Sequence, residues 1–403
     1  MMAAAEKGAF LPKLRFPEFK EEEGWQLKLI GEILSIGNGR DHKHLSDGDI
    51  PVYGSGGYMR SVNEYLHDGE SICIGRKGTI DKPFFLNGKF WTVDTLFYTH
   101  SFKKSLPRFV YALFQNIEWL KHNEAGGVPS LSKTNIEKIE ILIPELEEQQ
   151  KIADCLASVD ELITLESQKL DRLKLYKKGL MQQLFPTEGE TVPRLRFPEF
   201  QNQKEWDQNS LAKVCNVLQG YGFPEAFQGK SIGNYPFCKV SDISRAVSEN
   251  GGLLSEASNC IDDEDILKLK AKVVPAGATV FAKIGEALKL NRRAYVQRPC
   301  LIDNNATGLK AINGISDDYF IYLLSQLIDL NQHCGGAVPS VNKSTLEKIP
   351  VVVPRLDEQK RIAETLSSID SLIAAQTLRV NTLKAHKKGL MQQLFPKIED
   401  VAI

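Results

Sequence analysis

Apolar residues recur at alternating steps of four and three positions along two stretches of the chain. This spacing is typical of coiled-coil helices, whose apolar seam faces a partner helix. Each stretch keeps the pattern for roughly five heptads, which sets it apart from a half-buried surface helix. The apolar seam positions are Ile152, Leu156, Val159, Ile163, Leu170, Leu173, Leu180 and Leu184 in the first stretch, and Ile362, Leu366, Ile369, Ile373, Val380, Leu383, Leu390 and Leu394 in the second.

The two stretches belong to an internal repeat, since residues 130–186 align without a gap to residues 340–396 and roughly half of the positions are identical. Pro144 and Pro354 stand where a first helical turn accepts proline, and Pro186 and Pro396 end the pattern. Each copy therefore predicts a helix of about forty residues, on the order of 60 Å long.

Two such helices in one chain can bury their seams against each other. The short link after Pro186 cannot carry the chain back along a ~60 Å rod. We therefore expect an antiparallel pair, with a block of residues at each end and an approximate two-fold relation between the halves. Both copies interrupt the seam at the same two steps, Glu166 and Lys177 in the first copy and Gln376 and Lys387 in the second. These polar residues are interpreted as setting the register of the pair rather than as contacting a ligand.

The block before each helix combines strand and helix patterns. In the first block, residues 50–59, 71–80 and 82–100 alternate apolar and polar positions between glycine turns, and residues 106–120 have helical spacing. The second block keeps the same plan over residues 235–243, 273–296 and 302–312, with a helix at 318–330. The expected fold class is thus α/β (α+β), with globular domains at 10–143 and 187–353 and helices at 144–186 and 354–396.

A short proline-bounded motif opens each unit, PKLRFPEF at residues 12–19 and PRLRFPEF at residues 193–200. The second motif directly follows the first helix, so it must dock near the C-terminal end of that helix. The repeat then places the first motif near the C-terminal end of the second helix.

The composition excludes several classes of protein but does not indicate a function. The 403 residues are 42% hydrophobic and 25% charged, as in ordinary soluble proteins, and the net charge of −1 gives no global reason to expect nucleic acid. No apolar run has the length of a membrane span and the first residues lack the core of a signal peptide, so a cytoplasmic location is expected. The seven cysteines are scattered without a C-x-x-C pair, which predicts buried thiols and neither disulfides nor a zinc site.

The chain carries no phosphate loop, dinucleotide fingerprint, H-E-x-x-H or G-x-S-x-G motif, so no catalytic residue and no metal site is predicted. His42 and His44 lie in a charged loop and are interpreted as solvated. The acidic run at 262–265 is better explained as a helix start or an acidic surface turn than as a metal site, because consecutive side chains do not converge on one ion.

Candidate binding residues cluster at glycine turns and basic stretches. The turns at 54–58 and 75–78 can bring backbone N–H groups and cations to phosphate oxygens, or they are merely tight turns. One stretch of the second block suits a duplex backbone, with a solvated basic face as the alternative. Its cations are Lys283, Lys289, Arg292, Arg293 and Arg298, with Glu286 as counter-charge. Lys133 and Lys343 stand at matching places after Gly-Gly…Pro-Ser turns, as phosphate contacts or as ordinary loop lysines. The candidate DNA contacts are Gly54, Ser55, Gly56, Tyr58, Arg76, Lys77, Lys82, Lys133, Lys239, Lys283, Lys289, Arg292, Arg293 and Lys343.

The repeated words of the chain resemble a known family. Two unlike blocks are each followed by a helix that opens with IPELEEQQKIA or VPRLDEQKRIA and closes with KKGLMQQLFP, and each unit opens with RFPEF. These features resemble the specificity subunit of type I restriction-modification systems over essentially the whole chain.

The resemblance implies that each block is a target recognition domain reading one half of a bipartite, asymmetric DNA site, with the helices fixing the gap between the halves. It also implies a chain without catalysis and without a bound cofactor. Two methyltransferase subunits would use S-adenosylmethionine to methylate adenine, and restriction subunits would use ATP and Mg²⁺. The blocks diverge where they read bases, so base-reading residues are not carried over.

Three alternatives stay open from the sequence alone. The first is a specificity subunit of a related system that cuts beside its site. The second is a structural coiled-coil adaptor whose blocks bind protein, from which salt-dependent DNA binding in the presence of the methyltransferase would distinguish a specificity subunit. A single-chain methyltransferase is the third, and the chain lacks an N-P-P-[YF] or D-P-P-[YF] motif for it.

Overall fold

A computed structural model describes residues 10–336 and 338–398. The chain divides into two compact units. The first comprises the residues up to Leu165 together with those from Val380 onward, and the second comprises Glu166–Arg379. Each unit therefore contains one block and a segment of each long helix. No helix in the described ranges is both long and apolar enough to cross a membrane.

The described part of the first unit contains three small sheets. The strand β1 pairs antiparallel with β10, and two four-stranded sheets have the orders β2-β9-β6-β7 and β4-β3-β8-β5. The strands are β1 Gln26–Leu29, β2 Ser35–Asn38, β3 Ile50–Gly54, β4 Gly57–Val62, β5 His67–Asp68, β6 Ser71–Gly75, β7 Phe84–Leu86, β8 Lys89–Thr92, β9 Leu96–His100 and β10 Glu140–Ile143. The helices that begin in this unit are α1 Ile30–Ile33, α2 Pro107–Asn116, α3 Lys133–Glu137 and α4 Leu146–Leu184, with 3-10 turns at Pro17–Phe19 and Trp119–His122.

The second unit has a two-stranded sheet like that of the first unit, but its other sheets differ in strand number and order. The strand β11 pairs with β20, and sheets of five and three strands have the orders β12-β19-β16-β17-β14 and β15-β13-β18. The strands are β11 Asp207–Ser210, β12 Cys215–Gln219, β13 Tyr235–Cys238, β14 Leu253–Leu254, β15 Cys260–Ile261, β16 Thr279–Ala282, β17 Ala294–Val296, β18 Leu301–Ile302, β19 Ala306–Ala311 and β20 Pro350–Val353. The helices are α5 Leu211–Val214, α6 Val240–Glu249, α7 Asp263–Leu269, α8 Glu286–Lys289, α9 Asp318–Leu327, α10 Lys343–Lys348 and α11 Leu356–Leu394, with 3-10 turns at Pro198–Phe200, Glu225–Phe227 and Leu330–His333.

The two long helices, α4 and α11, confirm the prediction of forty-residue helices to within two residues at each end. Every seam position named above is buried or half-buried. The pairing is antiparallel, as predicted. Within the second unit Glu166 bonds to Gln376, and Lys177, further along α4, pairs with Asp370, which lies earlier on α11.

Aromatic clusters attach each block to the end of a long helix. Phe395, just after α11, packs with its ring centroid 5.8 Å from Trp25 and 5.5 Å from Phe109. In the second unit the rings of Trp206 and Phe320 stand in the same way, 5.9 and 5.3 Å from Phe185, which follows α4. Such ring pairs add to the stabilisation from burial alone. The "LFP" ending of each helix therefore anchors a block.

The proline-bounded motifs dock where the sequence predicts. The N–H of Leu14 donates to the carbonyl of Gln393 at 3.0 Å, near the C-terminal end of α11. The N–H of Leu195 donates to the carbonyl of Gln183 at 2.9 Å, near the end of α4. The motif arginines also form buried forks, from Arg15 to Glu148 and from Arg196 to Glu358. Both carboxylates are 2% exposed, so these are desolvated pairs.

We expect Glu148→Ala to destabilise the first unit by roughly 3 kcal/mol, because it leaves the Arg15 charge buried without its partner. Arg15 donates from Nε and Nη2 at 2.9 and 2.7 Å, and this contact raises the pKa of its guanidinium. Urea denaturation measures the loss. Glu147→Ala is the matched control, since Glu147 is the exposed neighbour on the same helical turn. Equal stability of the two variants would contradict the assigned role.

Three predictions of secondary structure were incomplete. The segment 106–120 is helical only over α2 and continues as a 3-10 turn, and α9 stops at Leu327 rather than at 330. The basic stretch in the second block contains the short helix α8 between its strands, where only strand-forming residues had been noted.

Of the cysteines, Cys73, Cys215, Cys238 and Cys300 are buried, and Cys155, Cys260 and Cys334 are half-buried; all seven are free thiols.

Candidate nucleic-acid interface

A basic loop after β6 is held against the turn that precedes α3. The N–H of Gly78 donates to the carbonyl of Pro129, and the N–H of Leu131 donates to the carbonyl of Arg76, both at 2.9 Å. These bonds fix the main chain of the loop from both sides. Gly78 has a φ of 90°, a conformation that side chains other than glycine rarely adopt, so the glycine of this turn is required.

The loop and the turn line an open cavity of about 430 Å³. Its lining includes Arg76 and Lys77 from one predicted motif, Lys133 from another, and one carboxylate, Glu124. That carboxylate accepts hydrogen bonds from the N–H and the hydroxyl of Ser132, which hold its pKa below the usual range. Glu124 is thus engaged locally, and the cavity keeps an excess of positive charge. We call Arg76, Lys77 and Lys133 the first basic cluster.

The second unit repeats this arrangement with different side chains. The N–H of Gly285 donates to the carbonyl of Pro339 at 2.8 Å, and the N–H of Val341 donates to the carbonyl of Lys283 at 2.9 Å. Lys283 thus corresponds to Arg76, and Lys343 to Lys133. We call Lys283 and Lys343 the second basic cluster. The lysines even make the same weak ion pairs, each 3.6 Å from a glutamate one helical turn later.

The sequence indicates the pairing of Lys133 with Lys343 but not that of Arg76 with Lys283. The signal was a short one, a cation two residues before a glycine, R-K-G in one block and K-I-G in the other. It is visible only once the backbone bonds to the two proline turns are known.

The glycine-rich hairpin joins the first basic cluster on the same surface. The hydroxyl oxygen of Ser55 lies 3.4 Å from where a Cβ on Gly78 would stand. Tyr58, at the start of β4, is 62% exposed, and its hydroxyl bonds to Ser61 at 3.1 Å. Gly56 has open space around it, whereas Gly54 is buried. The hairpin and the basic loop together form one exposed, cationic and partly aromatic surface.

The positive charge of this region also acts on a nearby histidine. Burial lowers the pKa of His100, and the charge of Lys133 lowers it further. His100 on β9 is half-buried and close to the first basic cluster.

The remaining candidates lie outside the two basic clusters. Lys82 is exposed, and Arg292 is half-buried. Lys239 donates to the amide oxygen of Gln228 at 2.7 Å and lies over the ring of Phe223. Lys289 pairs with Glu286 on α8 at 2.7 Å.

The burial of Arg293 contradicts its predicted role as a DNA contact. Its side chain is 4% exposed and stacks over the Phe281 ring, 4.5 Å from the ring centroid. Its guanidinium donates to the carbonyl of Ile328 and to the Asn291 side chain, both at 3.1 Å. Burial without a carboxylate partner in contact lowers its pKa to about 10. Arg293 therefore connects α8 to the segment after α9 and does not face a ligand.

Comparisons with known proteins agree on one family. The family described as type I restriction modification DNA specificity domain matches residues 22–175 and again residues 203–385. The MjaVIII specificity subunit of a type I restriction enzyme from Methanocaldococcus jannaschii is 24% identical, over 93% of this chain and 92% of its own length. The EcoDI specificity subunit from Escherichia coli is 21% identical, over 93% and 87%.

A solved structure has the same fold. The S subunit of a type I restriction-modification system from M. genitalium matches with a TM-score of 0.67, covering 96% of this chain and 99% of that one at 13% identity. At this identity the match establishes the fold alone.

Proposed function

Because this chain belongs to the type I restriction modification DNA specificity domain family, we propose that it selects the DNA sequence on which a type I restriction-modification complex acts. The target recognition domains occupy residues 10–143 and 187–353, and each reads one half of a bipartite site. The halves differ because the two blocks differ. The spacer helices, 144–186 and 354–396, set the distance between the half-sites.

The observation that carries this proposal is the duplicated basic loop. Cationic side chains on a main chain fixed by backbone bonds suit contacts with phosphate oxygens, which position a protein on a duplex without reading its sequence. The same backbone arrangement occurs in both units, with Arg76 and Lys133 in one and Lys283 and Lys343 in the other. Sequence reading then falls to neighbouring surfaces that the two units do not share, such as the hairpin at Tyr58.

The chain is proposed to act without catalysis of its own, in the cytoplasm. Two methyltransferase subunits would bring S-adenosylmethionine and modify adenine, and restriction subunits would bring ATP and Mg²⁺. A net charge of −1 is consistent with a subunit whose partners complete the hold on DNA.

Mapping of methylated adenines in the host genome, with and without the gene for this chain, tests the function. We expect one bipartite motif to lose its methylation completely when the gene is deleted and to regain it when the gene is restored. Persistence of every methylated adenine would contradict the proposal and favour a structural adaptor. A deletion strain that carries the gene with a premature stop codon is the control for effects of the restored DNA itself.

A further inference from the structure

The centre of the helix seam joins two residues that are counterparts in the repeat. Glu166 of α4 aligns with Gln376 of α11, and these two side chains contact each other. The amide Nε2 of Gln376 donates to Glu166 Oε2 at 2.6 Å and to the backbone carbonyl of Glu166 at 2.9 Å. Arg379 donates to the other carboxylate oxygen at 2.6 Å. Gln376 is 6% exposed and the Glu166 side chain 13%, so water replaces these bonds poorly.

The two ion pairs on either side of this centre are formed by the same two residue types in both copies of the repeat. Lys177 pairs with Asp370 at 2.7 Å, and Lys387 pairs with Asp160 at 2.7 Å. Lys177 aligns with Lys387, and Asp160 aligns with Asp370, so both copies of the repeat carry the same two residues. Either helix could therefore form these pairs with a second copy of itself. Among the seam positions of the two helices, only the central one differs in charge between the copies.

We propose that the Glu166–Gln376 pair makes each helix selective for the other helix of its own chain and disfavours pairing of α4 with α4 from a second copy. In such a homotypic antiparallel pair the counterparts would meet, so Glu166 would face Glu166 of the other copy. Two carboxylates would then share a half-buried site without an amide donor, which is unfavourable. The seam would still be apolar, and both copies of the helix carry the residues for the flanking ion pairs.

The other homotypic pair, α11 with α11, loses a different contact. Gln376 would face a second Gln376, and Arg379 would have no carboxylate at the centre. The charged groups that face Glu166 in the native pair are Arg379 from α11 and Lys169 from its own helix. The native pairing alone combines one carboxylate, one amide donor and one arginine.

Substitutions in the full-length chain reproduce these central pairs without isolating a fragment. Gln376→Glu builds the carboxylate pair of the α4 homotypic contact, and Glu166→Gln builds the amide pair of the α11 contact. The double variant Glu166→Gln/Gln376→Glu reverses the native pair and brings Lys169, the counterpart of Arg379, beside the new carboxylate. Gln168→Glu, on an exposed position of α4, controls for an added charge.

We expect Gln376→Glu to lower Tm by roughly 4 °C or more at pH 8, and the double variant to recover most of that loss. The deficit should shrink at pH 5. A carboxylate facing another is protonated more readily in the folded chain, so the folded state keeps its stability at low pH and loses it as pH rises. Gln168→Glu should stay within about 1 °C of the wild type.

Two results would overturn the proposal. If Gln376→Glu is as stable as the wild type at pH 8, the central pair does not discriminate between partners. If the reversed double variant is as unstable as Gln376→Glu, the loss comes from the substitution at position 376 and not from the pairing of like charges. A failure of either kind leaves the proposed DNA function untouched, since that is read from methylated sites and not from Tm.

Discussion

Replacing Arg76 and Lys133 together by alanine is expected to weaken DNA binding and to make it less sensitive to salt. Each phosphate contact that is lost reduces the slope of log K against log salt concentration by about 0.9, so the double variant should show a slope smaller by about 1.8. The recognised sequence should stay the same, because phosphate contacts position a protein and do not read bases. Titrations at several salt concentrations, with the proposed methyltransferase partner present, measure both effects.

The second unit offers an independent repeat of this experiment. Lys283→Ala/Lys343→Ala should change the slope by about the same amount, since these residues occupy the corresponding positions. Lys138→Ala is the matched control for the first unit, because Lys138 is exposed at the end of the same short helix, α3, but lies outside the cavity of the first basic cluster. An unchanged slope in both double variants, or an altered recognition sequence, would contradict the assignment of phosphate contacts.

The long helices could be predicted from the sequence because their determinants are local and repeated. The steps of four and three, the prolines at both ends and the second copy of the pattern all predict the same two helices. The observed bounds of α4 and α11 are therefore close to the predicted ones. The antiparallel pairing also followed, because the link after Pro186 is short. Such predictions succeed when pattern, end signals and chain connectivity favour one arrangement.

The interior of the blocks was less predictable because its contacts join residues far apart in sequence. Arg293 and Lys283 lie ten residues apart in one basic stretch, yet the first is buried on Phe281 and the second lies on the loop beside the Pro339 turn. Charge composition alone cannot separate these cases. Burial of an arginine depends on backbone acceptors such as the Ile328 carbonyl. No sequence pattern indicates that this carbonyl lies beside Arg293.

The proline-bounded motifs could be predicted from the sequence only in part. Their docking at the ends of the helices followed from the order of the repeat. The role of their arginines did not, because the partners Glu148 and Glu358 stand more than a hundred residues away. One acidic residue at the start of each long helix forms a buried fork with the motif arginine, a role that its position near the positive end of the helix dipole does not indicate.

Exchange of one block should change half of the recognised site and leave the other half intact. Residues 201–330 lie after the second proline-bounded motif and before the Gly-Gly…Pro-Ser turn. Their replacement by the corresponding block of another family member therefore keeps the Arg196–Glu358 fork and the segment with Lys343. The first unit contains none of these residues, so its reading surface should be unaffected.

The most direct test of two independent DNA readers in one chain is the methylated-adenine motif in a host that carries this exchanged chain and its methyltransferase. We predict a new bipartite motif in which one half is that of the wild type and the other half is new, with the gap between them unchanged. A motif altered in both halves, or identical to that of the wild type, would contradict the account.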